Sequence, residues 1–165
     1  MHALAILRLV LPLLGMGIFA LAAKLIRPPK RILFLTLKLC WVAGMLNLLW
    51  DIIGTHYRFW HFTMDHLLFG VPLDLYVTVS LVYGGALLLV YWWLRTEHSA
   101  WVPIFVAILP FNGVLRDYLG QKATGTTFLV WDNSRWWIPD FFAWATGLWS
   151  LIFIFDKSTR GLPLG

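Results

Sequence analysis

Four aspartates stand in two pairs of equal spacing: Asp51 and Asp74, then Asp117 and Asp140, each pair 23 residues apart and the second 66 residues after the first. An ionised carboxylate at membrane depth is costly unless paired, and a carboxyl kept neutral in a dry apolar pocket is a proton donor. The chain also holds 11 Trp, 12 Phe and 5 Tyr, an aromatic share of 17%. Aromatic faces lining a cavity stabilise a cation by about 0.5–2 kcal/mol each. Together these are the parts needed to protonate an alkene, hold a carbocation while it cyclises, and remove a proton. The same residues allow plainer roles. Asp74 and Asp140 could cap helices, Asp51 and Asp117 could be solvated helix ends, and Arg116 could pair with its neighbour Asp117. Trp92, Trp93, Trp101 and Trp136 suit an interfacial belt, whereas Trp41, Trp50, Trp60, Trp144 and Trp149 do not all fit one.

The elements that must position these residues follow from hydropathy. Of 165 residues 60% are hydrophobic and 13% charged, with a mean hydropathy of +0.75, far from the make-up of soluble domains. The expected fold is all-α and integral to the membrane, a single domain over residues 1–165 with five transmembrane helices near 3–23, 32–53, 70–94, 100–119 and 136–155. Ala20-Leu-Ala22 has the look of a signal-peptidase site, but no positive charge precedes the apolar run and a second span follows closely, so the first helix is read as uncleaved. The short links and the tail over 156–165 hold seven Lys or Arg, more than the long connections 54–69 and 120–135. That bias predicts an N-terminus outside and a C-terminus in the cytoplasm.

An internal repeat accounts for the paired aspartates. A shift of 66 residues also sets Leu49-Trp-Asp51-Ile-Ile-Gly54 on Leu115-Arg-Asp117-Tyr-Leu-Gly120 and Phe62 on Phe128. Repeat one runs over about 32–94 and repeat two over about 100–155. Helices two and three would thus recur as four and five in a parallel repeat, because one span separates equivalent helices.

Other chemistries find little support. The net charge of +5 comes from basic residues between apolar spans, where orientation and anionic membrane lipid account for it without nucleic acid. The single cysteine, Cys40, allows no internal disulfide. His56, His61 and His66, with Asp65, recur at five-residue intervals, where helical metal ligands want three or four. No metal and no cofactor are expected, and no nucleotide-binding or nucleophile motif is present.

Trp50-Asp51, Phe59-Trp60-His-Phe62 and Gly70-Val-Pro72-Leu73-Asp74-Leu-Tyr76 resemble the lycopene cyclase domain of the small integral-membrane carotenoid cyclases, found as two subunits or as a fused pair. In that family a Trp-Asp at a helix end precedes a Trp-x-Phe connection and a Pro-Leu-Glu-Glu motif opening the next helix. The likeness covers about residues 1–95. The second half echoes it at Asp117, Phe128-Leu-Val-Trp131-Asp and Trp137-Ile-Pro139-Asp140. Asp74-Leu75 and Asp140-Phe141 stand where the family has paired glutamates, which points to a different terpenoid substrate. The resemblance implies a cofactor-independent, non-redox cyclase of a carotenoid or other polyprenyl chain, acting as a homo-oligomer or with a second cyclase subunit. Asp74 and Asp140 are then the candidates for proton donor and base, with Asp51 and Asp117 as their partners. Trp50, Trp60, Phe62, Tyr76, Trp137 and Trp144 are candidates for binding the substrate. Two other readings stand beside it: a non-catalytic carrier or binding module for an apolar ligand or ion at the repeat interface, and a structural subunit whose aspartates are caps.

Overall fold

Prolines and the lengths of the apolar runs decide where the helices begin and end. In the computed structural model, which describes residues 2–63, 70–73, 75–123 and 129–160, the first helix, α1, spans His2–Ile26. Arg27 then takes a left-handed φ of 51°, and Pro28-Pro29 cannot extend the hydrogen-bond ladder. Helix α2 starts afresh at Lys30 and runs to His56. After a three-residue strand β1, Trp60–Phe62, the chain turns at Pro72, whose carbonyl accepts from the Leu75 N–H at 3.2 Å. Helix α3 covers Leu75–Glu97; it is α-helical at both ends and π-helical over Ser80–Ala86. A single 3₁₀ turn, Ser99–Trp101, leads into α4, Val102–Ala123. Strand β2, Leu129–Trp131, precedes α5, Trp137–Thr159. Pro139 is tolerated in the first turn of α5, where no intrahelical partner awaits its missing N–H.

Four segments are long and apolar enough to cross a membrane: Lys30–His56, Leu75–Glu97, Ser99–Leu119 and Trp137–Thr159. They mark the chain as a membrane protein. The expected five are four by this measure among the described residues, because α1 contributes only the shorter apolar run Val10–Ile26. The outward surface agrees with a hydrocarbon solvent, since Leu25 is 71% exposed, Met45 69%, Phe34 63% and Phe111 62%. In water so many large exposed apolar groups would drive association.

Helix α2 lies at the centre, packed on α3 and on α5, while α1 covers α3 and α4 packs chiefly on α5. Without a hydrophobic drive in lipid, such contacts depend on close approach of small residues. A Cβ placed on Gly84 of α3 would stand 2.1 Å from the carbonyl oxygen of Cys40 in α2. That spacing admits only glycine. At the same end of the bundle as Lys24 and Arg31, Arg95 pairs with Asp156 and donates to Thr159 Oγ1 at 3.1 Å, and Tyr91 donates to Asp156 Oδ2 at 2.8 Å.

The opposite end holds a feature that the all-α expectation lacks. Strands β1 and β2, one from each long connection, pair antiparallel with Trp60 opposite Trp131, His61 opposite Val130 and Phe62 opposite Leu129. His61 Nδ1 and Asp132 Oδ1, 2.8 Å apart, tie the edge of this ribbon.

Candidate functional site

Beneath the ribbon lies a cavity of about 430 Å³, enclosed by the C-terminal parts of α2 and α4 and the N-terminal parts of α3 and α5, with α1 along one side. Its walls are mainly apolar. Leu14 and Ile18 come from α1, Val79 and Val82 from α3, and Phe62, Leu129 and Trp131 from the ribbon and its flanks. Into this surface project Asp51, Asp117 and Asp140, together with Asn47, Tyr76, Tyr83 and Arg116.

Asp51 accepts on both oxygens. The Trp60 indole N–H donates to Oδ1 at 3.0 Å and the Tyr76 hydroxyl to Oδ2 at 2.5 Å. Trp60 reaches it because the chain doubles back after α2: the Phe59 N–H bonds the Gly54 carbonyl at 2.8 Å, and a Cβ at Gly54 would stand 2.4 Å from the Trp60 ring. Asp117 is likewise saturated. Arg116 donates to its Oδ1 through Nε at 2.9 Å and also through Nη2, and the Trp144 indole N–H donates to Oδ2 at 2.8 Å. The pairing of adjacent Arg116 and Asp117 is the one that the sequence allowed. Two indoles and a phenol, all donors, thus fix two carboxylates.

The Arg116 guanidinium carbon also lies 4.7 Å from the Trp144 ring centre and 5.3 Å from that of Tyr83, within the range of cation–π attraction. Arg116 and Asp117 together form a neutral unit held between rings.

Asp140 differs. It is 5% exposed, and its Oδ2 has no hydrogen-bond partner. Its carboxyl faces that of Asp117, in the field of Arg116 and Asp51. Asp51 and Asp117 accept from donors at both oxygens, whereas Asp140 keeps one oxygen without a donor.

The site therefore brings together three of the four predicted aspartates, with Trp60, Phe62 and Tyr76 in the wall and Trp144 behind Asp117. Asp74 lies outside the described residues, as do Asp65, His66 and Phe128. Trp50 and Trp137 are not among the lining residues. Trp50 directs its indole N–H to Thr146 Oγ1 at 2.7 Å on the flank of α5, and Trp137, 54% exposed, stands at the outer start of α5. Adjacent helical residues point about 100° apart, so Trp50 cannot share the direction of Asp51.

Sequence reasoning passed over Leu11, Leu14, Ile18 and Tyr83 as lining residues. The helical phase of α1 carries no polar mark that would have singled them out. No cluster of three or more His, Cys, Asp or Glu able to hold a metal occurs among the described residues. No family model matches the chain, no curated protein is similar to it, and no solved structure resembles it.

Proposed function

We propose that the chain is a cofactor-independent membrane cyclase that protonates an alkene of a polyprenyl or lycopene-like chain. The observation that carries this reading is the buried carboxyl of Asp140, with one oxygen unpartnered beside an apolar, aromatic cavity. Asp140 gives its proton to one alkene carbon, leaving a cation on the other. An internal alkene attacks that cation, the ring C–C bond forms, and the new cation loses a proton to a carboxylate, so that mass is unchanged. Three carboxyl groups against the single guanidinium of Arg116 in the wall favour a cation and disfavour a diphosphate or carboxylate ligand. Arg116 already occupies the faces of Tyr83 and Trp144, so Trp60, Phe62, Tyr76 and Trp131 are the rings left in the wall for the substrate. Asp74 is retained as a second donor or base on the strength of its repeat position.

The wider reading accompanies it: α1 as a fifth span, α2–α3 and α4–α5 as a parallel repeat, and the Lys24–Arg31 end in the cytoplasm. The pairing of β1 with β2, from equivalent connections, supports the repeat. A homo-oligomer or a second subunit would complete the assembly.

The test is chromatography and mass spectrometry of lipid extracts from cells that make lycopene or linear polyprenyls, with and without this protein. A product of unchanged mass and shorter retention is expected, absent with Asp140→Asn. Unchanged extracts from cells holding folded protein would overturn the cyclase and favour a carrier, whose flux would follow a pH gradient.

A further inference from the structure

The end of the bundle away from the aspartates has its own recess. It lies between the link from α1 to α2 and the end of α3, and is lined by Arg27, Pro29, Trp92, Trp93, Glu97 and His98. Two unlike charges face the same space. Arg27 and Glu97, the sole glutamate of the chain, are both exposed, and neither belongs to an ion pair of the described residues. Arg95, two residues before Glu97, is engaged by Asp156 and Thr159 and so does not neutralise it.

The recess is built rather than incidental. The left-handed φ of 51° at Arg27, followed by Pro28-Pro29, fixes where the guanidinium leaves the backbone. Trp92 is only 8% exposed, and its indole N–H has no hydrogen-bond partner. Trp93 stacks edge-on with His98, ring centres 4.8 Å apart. Next in sequence to the recess wall, Leu25 is 71% exposed.

We infer that this recess seats the headgroup of a zwitterionic phospholipid carrying a primary ammonium, of the phosphatidylethanolamine type. The phosphate lies toward Arg27, the ammonium donates to Glu97, and the acyl chains follow Leu25 into the bilayer. A purely anionic headgroup would satisfy Arg27 but set a like charge against Glu97. A choline headgroup has no N–H to donate to the carboxylate. The inference is independent of the proposed cyclase.

The test is native mass spectrometry of the full chain in detergent with equimolar dioleoyl phosphatidylethanolamine and dioleoyl phosphatidylglycerol. Wild type should retain the ethanolamine lipid about tenfold over the glycerol lipid, the ratio that one charge-assisted hydrogen bond supplies. Glu97→Gln should abolish that preference, and Arg27→Ala should weaken retention of both lipids. Circular dichroism checks that these surface variants stay folded. Equal retention of the two lipids by wild type, or a preference unchanged in Glu97→Gln, would overturn the inference. Retention of soluble glycerophosphoethanolamine as tightly as the lipid would overturn the bilayer lipid as its occupant.

Discussion

Asp140 and Asp117 lie side by side yet should respond differently to the same substitution. If Asp140 is the proton donor of the proposed cyclase, Asp140→Asn, which leaves an amide of equal size, should lower turnover by about 10²–10⁴-fold, with the detergent melting temperature nearly unchanged. Asp117→Asn leaves Arg116 without its partner, and breaking such a pair costs about 3–5 kcal/mol where it is buried. Because the Arg116 side chain is 42% exposed, solvent screening should reduce the loss well below that. Thermal unfolding in detergent measures it. If Asp140→Asn instead melted early and stayed active, the two roles would have to be exchanged. The convergence of Asp51, Asp117 and Asp140 was legible in the sequence, because charged residues at equivalent helix ends have few places to go. The directions of Trp50 and Trp137 were not, because an aromatic-rich chain offers indoles on every helical face and only packing decides which one turns inward.

Among the elements, α3 depends most on local geometry. Gly84→Ala drives a methyl into the Cys40 carbonyl, and overpacking of this kind costs about 1–3 kcal/mol. Met45→Ala, at a site 69% exposed, should shift the melting temperature little. Equal effects of the two would mean that α2 and α3 are not held by close backbone approach. The second to fifth helices were readable from hydropathy to within a few residues, since their length is set by the bilayer. The β1–β2 ribbon was not readable: three-residue strands show no period, and their partner lies some seventy residues away. The π-helical turn was equally silent, because it changes register rather than composition.

For the molecule as a whole, the two polar ends make orientation a single measurable quantity. Cys40 is buried, so single cysteines introduced in a Cys40→Ala background report side by their reaction with an impermeant maleimide. Lys30→Cys and Lys157→Cys should label together from the cytoplasmic side, and His61→Cys from the other. Labelling of all three from one side would break both the orientation and the spanning arrangement. The basic bias that predicts this was present in the sequence, whereas the central place of α2, between α3 and α5, emerged only from packing. The π-helical turn over Ser80–Ala86 ties local chain length to that arrangement. Such a turn is in effect an α-helix with one residue added. Deleting one residue there would restore a regular α-helix and swing everything before it by about 100°. Tyr76 would leave Asp51, Val79 would leave the cavity, and helix content would hardly change. A shortened chain of this kind would be well folded but would lack the arrangement of this site, so the extra residue acts as an angular setting for it.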